Sequence, residues 1–265
     1  MITVSENSCR NCNQNIVQNF CSNCGQKRYK RIDRSYIWEE IQYTTIHTNK
    51  GFLYSIKNIL RNPGKAARGF VDGNRINYYK PIGLAFILSG ISAFISFKII
   101  GFGAVLKANA ISQNPNISFI DDLTLFQANY SAFIMLSFIP ILALCSKIVF
   151  RKWGHNYYEH VVMNAFGLSF YTIITICLIS PILYGIKDDI SLMNKVSMYS
   201  MLIMPLMMIW FYKNYYSEKS LKSIIPRLIL KSGIFVTFFF VVIIIATISY
   251  IIILGPEALK QFQPK

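Results

Sequence analysis

Four cysteines near the start of the chain have the spacing of a metal site. Cys9 and Cys12 form one C-x-x-C pair, and Cys21 and Cys24 form a second pair after a spacer of eight residues. Zn²⁺ prefers four thiolates in a tetrahedral arrangement, and two C-x-x-C turns each present two sulfurs to one ion. So small a unit has no room for a hydrophobic core, so metal binding must supply its folding energy. The spacing predicts a structural zinc site whose ligands are Cys9, Cys12, Cys21 and Cys24.

Iron is an alternative to zinc at these cysteines, whereas disulfide and redox chemistry fit less well. Iron, in a rubredoxin-like or iron–sulfur site, uses the same four thiolates, and the spacing does not separate it from zinc. Disulfides are disfavoured if this end of the chain is cytoplasmic, because that compartment is reducing. A thioredoxin-like redox motif needs a βαβ context that the sequence does not offer. Zinc is the predicted cofactor, with iron as the alternative, and Asn13 and Gly25 are expected to adopt positive φ after each pair.

Five apolar runs follow, each long enough to cross a bilayer. A spanning helix needs about 20 residues, and only 15% of the chain is charged, below the roughly 25% usual for soluble domains. The fold class predicted is an all-α multi-span membrane helix bundle, preceded by the metal-binding knuckle pair and an amphipathic interfacial helix. Pro140, Pro181 and Pro205 lie inside the runs and predict kinks. The predicted spans are 81–100, 130–150, 161–185, 194–212 and 232–254.

The net charge of +15 is unevenly distributed. With the N-terminus placed in the cytoplasm, the inner segments 1–80, 147–160 and 213–231 carry 13, 3 and 5 basic residues, and the outer segments carry four. This bias predicts a multi-pass membrane protein with its N-terminus inside and its C-terminus outside. The partners expected are the lipid bilayer and a cytoplasmic protein, and nucleic acid is the weaker explanation of the basic charge.

An amphipathic helix is predicted between the cysteines and the first span. Its apolar residues recur at helical spacing, and Asn62-Pro63-Gly64 should end it. Such a helix would lie in the inner membrane interface or pack against the cytoplasmic side of the bundle. The chain then divides into a metal-binding module (1–30), a basic linker with this helix (31–80), the bundle (81–254) and a tail (255–265). The residues of the apolar stripe are Phe52, Leu53, Ile56, Ile59 and Leu60.

His155, Glu159 and His160 form the one cluster of acid and imidazole groups in the sequence. An inverzincin helix needs H-x-x-E-H, but Asn156 occupies the first histidine position, so the register excludes a zinc protease of that kind. Glu159 is instead expected near the N-terminus of the third span, where negative charge is favourable. Asn164, one turn further on, predicts an interhelical hydrogen bond. No catalytic residue is predicted.

Several short motifs resemble a known family. They are Cys21-Ser-Asn-Cys24-Gly25-Gln26, Gly51-Phe52-Leu53-Tyr54-Ser55, Asn62-Pro63-Gly64-Lys65, Asp72-Gly73-Asn74-Arg75, Tyr78-Tyr79-Lys80-Pro81 and Tyr158-Glu159-His160. Together they resemble the bacterial membrane-protein family known as domain of unknown function 3667. The resemblance implies an N-terminal zinc ribbon joined to a multi-span membrane domain, without an established activity.

The functional hypothesis is a non-enzymatic protein of the bacterial inner membrane whose cytoplasmic zinc site serves partner docking or self-assembly, or folds back on the bundle. A small-molecule or lipid carrier, with a cavity shaped by the prolines, is the alternative. A membrane enzyme using Glu159 and His160 is a further alternative. The centres of the spans lack carboxylates and arginines, which counts against an ion-coupled transporter.

Overall fold

A computed structural model of the chain describes residues 8–44, 51–113 and 120–254. Five of the described helical stretches are long and apolar enough to cross a membrane, which confirms the predicted number. In chain order, spans one to five are Pro81–Ile100, Thr124–Val149, Tyr157–Gly185, Ile190–Tyr215 and Leu221–Ile245. Residues 8–28, here called the ribbon, precede them, and the end of the bundle next to the ribbon is called the ribbon end.

Eleven α-helices make up most of the described chain, three of them before the first span. Two π-helical segments, Ile95–Ile100 and Thr175–Ile179, continue α4 and α7, and a 3₁₀ turn covers Arg151–Trp153. The α-helices are α1 Arg34–Thr44, α2 Phe52–Arg61, α3 Pro63–Val71, α4 Pro81–Phe94, α5 Phe102–Gln113, α6 Ile120–Val149, α7 Tyr157–Ile174, α8 Ser180–Gly185, α9 Ile190–Ser200, α10 Ile203–Tyr215 and α11 Leu221–Leu254.

The centre of the bundle is formed by α4, α6 and α7, which all contact one another. Small side chains let them approach closely, among them the fully buried Ala85, Ala143 and Ala165. Spans four and five flank this centre. Only 6% and 11% of the residues in their most apolar stretches are buried, against 44% in span three. Spans four and five therefore present most of their surface to the surrounding bilayer.

Span one has the predicted bounds, whereas spans two to five all begin earlier than predicted, by 4 to 11 residues. Span three begins at Tyr157 rather than at 161, because Asn156 and Glu159 form a capping box that starts the helix there. Helix α11 begins at Leu221 rather than at 232 and includes Pro226 in its first turns. Hydropathy locates the apolar stretch of a span but not the polar turns that extend the same helix.

The predicted effects of two prolines coincide with interruptions of their helices. Pro205 has no N–H for the carbonyl of Met201, four residues earlier, and α9 ends at Ser200 while α10 begins at Ile203. The π-helical turn Thr175–Ile179 lies directly before Pro181. Pro140, in contrast, lies inside the continuous helix α6.

The amphipathic helix α2 packs against the bundle. Ser55 and Ile59 are buried on its inner face, and the hydroxyl of Ser55 accepts a hydrogen bond from the Tyr79 amide at 2.7 Å. Leu53, on the outer side, is 77% exposed. Of the two interpretations of this helix, packing on the bundle is the one that the contacts show.

A second helix that the sequence did not predict follows at once. Helix α2 ends at Arg61, as expected, but Asn62 then caps α3 through the Lys65 amide, and Pro63 occupies the first helical position. Six of the nine residues of α3 are buried, because it contacts both α7 and α10. Helix α3 is therefore part of the bundle at the ribbon end.

Helix α1 supplies the cap that span one lacks. Lys80, the N-cap residue of α4, makes no side-chain cap. The Oε1 atom of Glu40 instead accepts a hydrogen bond from the Ile82 amide at 2.6 Å. Burial raises the pKa of Glu40 to about 7. The segment before the first span is thus joined to the start of that span by a buried side chain.

Candidate metal centre and its contacts with the bundle

The two cysteine pairs fold into the same turn. In the first, the Cys9 amide donates to the carbonyl of Gln14 at 2.8 Å, and the Asn13 amide donates to the carbonyl of Cys9 at 2.9 Å. The second pair repeats both hydrogen bonds at the same lengths. Asn13 and Gly25 end the turns with φ of +61° and +73°, as the sequence predicted. The backbone of each turn holds its two sulfurs on one side.

The four sulfurs converge on one point. All four Sγ atoms lie within 4.8 Å of one another, and the pairs Cys9–Cys24 and Cys12–Cys21 are 3.5 Å apart. A tetrahedron with Zn–S bonds of about 2.3 Å has edges of about 3.8 Å. The donor set therefore fits a single tetrahedral ion, and its chemistry suits zinc or iron.

Hydrogen bonds also favour the thiolate form of two ligands. A hydrogen bond from the Asn11 side chain lowers the pKa of Cys24 to about 6, and the backbone amide of Cys24 lowers that of Cys21. Burial raises the pKa of Cys9 to about 11. A bound cation offsets this cost, because its charge stabilises a buried thiolate.

The ribbon lies against the loop that precedes span one. The side-chain oxygen of Gln26 accepts hydrogen bonds from the amides of Arg75 at 3.2 Å and Ile76 at 2.9 Å. Gly73, with φ of +112°, allows the close approach, since a Cβ atom there would lie 2.6 Å from the Tyr29 ring. Two residues of the motifs that resemble the family, Gln26 and Gly73, therefore lie where the N-terminal segment contacts this loop.

Arg75 joins three parts of the N-terminal segment. Its guanidinium lies 5.7 Å from the ring centre of Tyr29, 5.1 Å from that of Tyr36 and 5.7 Å from that of Phe70. Its Nε atom also donates to the Phe70 carbonyl at 3.0 Å. One cation–π cluster therefore links the chain after the ribbon to α1 and α3.

An ion pair connects the segment after the ribbon to span three. Arg31 donates to both carboxylate oxygens of Glu159, at 2.7 and 3.0 Å, and to the Gly154 carbonyl at 2.7 Å. The Asn156 side chain donates to the carbonyl of Ile32 beside it. Glu159 is 4% exposed and also accepts from the Asn156 amide in the capping box. Glu159 therefore lies in the first turn of its helix, as expected, and it joins that turn to the segment after the ribbon.

His160 points elsewhere, into the bundle, and is 1% exposed. Its ring nitrogens have no hydrogen-bond partner among the described residues. Glu159 and His160, which the sequence offered as a catalytic pair, thus lie in different surroundings.

Sequence reasoning missed a buried lysine. Lys231 in α11 is 2% exposed, and its Nζ atom donates to the Tyr212 hydroxyl at 2.7 Å and to the Asn164 side-chain oxygen at 3.1 Å. Asn164 also donates to the Ser146 hydroxyl at 3.0 Å, which is the predicted interhelical hydrogen bond. Lys231 was assigned to a basic loop because it lies at the edge of an apolar run. Among the described residues, no carboxylate forms an ion pair with Lys231. An ionisable side chain buried among membrane spans marks a candidate functional site.

A known family resembles part of the chain. The family described as protein of unknown function (DUF3667) matches residues 49–93. The resemblance inferred from the motifs is confirmed there. The matched segment contains α2, α3, the loop that receives the ribbon and most of span one. Comparisons with curated proteins and with solved structures gave no match.

Proposed function

We propose that this integral membrane protein is non-enzymatic and that its zinc ribbon organises an N-terminal module that docks on the ribbon end of the bundle. The observation that carries this proposal is the bidentate pair between Arg31 and Glu159. Arg31 follows the ribbon by a few residues, whereas Glu159 stands in the first turn of span three. The fold of the metal site thereby determines where this end of the chain meets the membrane domain.

Zinc is the metal we assign to Cys9, Cys12, Cys21 and Cys24, with iron as the alternative. Four thiolates complete a tetrahedron, so they hold an ion without leaving a position for substrate. This arrangement supports a structural role. The proposed units are the metal-binding module (1–30), the connecting segment with α1, α2 and α3 (31–80), the bundle (81–254) and the tail (255–265), which lies outside the described residues.

The module is proposed to lie in the cytoplasm, with the bundle in the bacterial inner membrane. The described parts of the three basic segments contact one another at the ribbon end, which supports this orientation. A phosphatase reporter, active only outside, should therefore be inactive when fused before residue 1 and active when fused after residue 265. The opposite pattern would reverse the orientation.

The two alternative functions have different support. An enzyme that uses Glu159 as acid or base is disfavoured, because both of its carboxylate oxygens are engaged by Arg31 and one also by the Asn156 amide. A carrier or lipid-handling role remains the second candidate. It is favoured by the buried network of Lys231, Tyr212 and Asn164, which places a basic side chain inside the bundle.

Arg31→Ala tests the docking proposal. The variant leaves the buried Glu159 carboxylate without its guanidinium partner, but Arg31 is 55% exposed, so the expected loss is about 1–3 kcal/mol. Trypsin should cut the segment 27–34 of the purified protein several times faster, and thermal unfolding should begin earlier. Arg151→Ala, at an exposed arginine of the same end, is the control. Equal cleavage of the two variants would show that the pair does not hold the module.

A further inference from the structure

Four aromatic rings at the ribbon end form one buried polar cluster. His155 lies 6.2 Å from His160, 5.4 Å from Tyr215 and 5.5 Å from Tyr216, measured between ring centres. Tyr215 and Tyr216 are 4.8 Å apart. The cluster brings together the turn before α7, the first turn of α7 and the end of α10.

The polar atoms of this cluster lack partners. His160, Tyr215 and Tyr216 are each at most 1% exposed. Both ring nitrogens of His160, the Nδ1 atom of His155 and the two tyrosine hydroxyls make no hydrogen bond within the described part of the chain. A buried donor or acceptor without a partner is costly, and these five atoms belong to His155 and to three rings whose centres lie within 6.2 Å of it, so a ligand with polar atoms would relieve that cost.

Two lysines near the cluster, Lys147 and Lys231, form no ion pair with a carboxylate of the described residues. The Lys147 ammonium donates to the His155 carbonyl at 2.7 Å, and the Arg68 guanidinium lies 5.8 Å from the ring centre of Tyr215. Lys231 binds Tyr212, whose ring is 6.3 Å from that of Tyr216. The nearby carboxylates are paired with arginines: Glu159 with Arg31, and Asp72 and Glu218 with Arg68, whose own charge they offset.

The lysines and the unpaired polar atoms of the cluster limit the kinds of ligand that fit there. A metal cation is disfavoured beside Lys147 and Lys231, although two imidazoles are present. An apolar ligand would leave the five polar atoms unsatisfied. An anion with several oxygens, in contrast, accepts hydrogen bonds from hydroxyl and imidazole groups and gains from the two nearby lysines.

We propose that His155, His160, Tyr215 and Tyr216 form a binding site for a phosphate group. The phosphate belongs either to a lipid headgroup or to free inorganic phosphate. The site lies at the beginning of span three and the end of span four, the depth at which headgroups meet a bilayer. His155 is half-buried and forms its outer edge. This site is independent of the metal centre.

The test compares the full-length protein with the double variant Tyr215→Phe/Tyr216→Phe. Both substitutions keep the rings and remove only the hydroxyls, and Tyr199→Phe, at a tyrosine that is 62% exposed, is the control. Inorganic phosphate is titrated in neutral detergent against chloride of equal ionic strength. In a second arm, the protein is placed in phosphatidylcholine bilayers with and without phosphatidic acid. Thermal unfolding is followed by tryptophan fluorescence, because Trp153 contacts Tyr216 at 4.6 Å between ring centres.

Phosphate, phosphatidic acid or both should raise the melting temperature of the wild-type protein and of the control. Loss of two hydrogen bonds to a charged group should weaken apparent binding in the double variant at least about tenfold. Without ligand, the double variant should be no less stable, since it has lost two unsatisfied hydroxyls. A higher melting temperature with phosphate alone would identify the ligand as free phosphate. A higher melting temperature with phosphatidic acid alone would identify it as a lipid headgroup. The proposal is overturned if neither probe stabilises the protein, or if the double variant responds like the wild type.

Discussion

Replacement of both Cys21 and Cys24 by serine is expected to remove the metal and unfold the ribbon while leaving the five spans inserted. The ribbon has almost no core of its own: its buried apolar cluster consists of Cys9, Ile16 and Cys21 with the other two cysteines against it. Its regular backbone pairing is limited to two isolated bridges. Metal binding must therefore provide its stability, which for structural zinc in small domains amounts to about 10–16 kcal/mol.

Elemental analysis of the purified protein checks this result and identifies the metal. The wild-type protein should contain about one equivalent of zinc, or of iron if the alternative applies, and the variant should contain none. Cys177→Ser, at an exposed cysteine in span three, is the matched control and should retain the metal. A stoichiometric metal in the double serine variant would show that the four thiolates are not its ligands.

Loss of the metal should also release the contacts that the ribbon makes. Gln26 belongs to the second cysteine turn, so unfolding of that turn removes the acceptor for the amides of Arg75 and Ile76. A cytoplasmic partner that binds the folded ribbon should then be lost when the variant is purified gently from native membrane. If the metal-free protein keeps every companion, the ribbon does not dock them.

The features that the sequence predicted are the local ones. Each span is a continuous apolar run, and the metal site follows from two short spacings whose turns need positive φ at Asn13 and Gly25. The N-terminal position of Glu159 in its helix also followed from neighbouring residues. Such features depend on a window of a few residues, so a single sequence contains them.

The features that escaped prediction depend on residues far apart in the chain. Arg31 and Glu159 are separated by 128 positions, and nothing near Arg31 distinguishes it from the other arginines of a basic segment. Lys231 resembles the many cations that end apolar runs at the membrane surface, and its surroundings inside the bundle come from α7 and α10. Identification of either residue requires the packing of the helices.

The position of α3 was unpredicted for the same reason, and it decides how the ribbon end is built. A nine-residue segment with two glycines and two cations has little helical signal of its own. It becomes a helix because Asn62 and Pro63 start it and because α7 and α10 bury it. The Asn62 side chain donates to the Asn214 side chain at 2.8 Å, which joins the beginning of α3 to α10.

Gly64→Ala should therefore displace α3 from α10. The added Cβ atom would collide with the Phe211 carbonyl and would lie 2.7 Å from both the Tyr215 amide nitrogen and the Asn214 Cβ atom. Two of these three contacts are with backbone, which relaxes less easily than the end of a side chain. We expect a loss of about 3 kcal/mol, at the upper end of the usual cost of overpacking, and a lower melting temperature in detergent.

Gly69→Ala in the same helix separates this collision from any general effect of alanine. No atom lies within 4 Å of the position that its Cβ would take, so the substitution should stabilise α3 by about 0.5–1 kcal/mol through helix propensity. The two variants should thus shift the melting temperature in opposite directions. If both stabilise the protein, α3 does not pack tightly on α10. The ribbon end would then be held by the Arg31–Glu159 pair and the contacts of Gln26, rather than by a helix inserted between spans three and four.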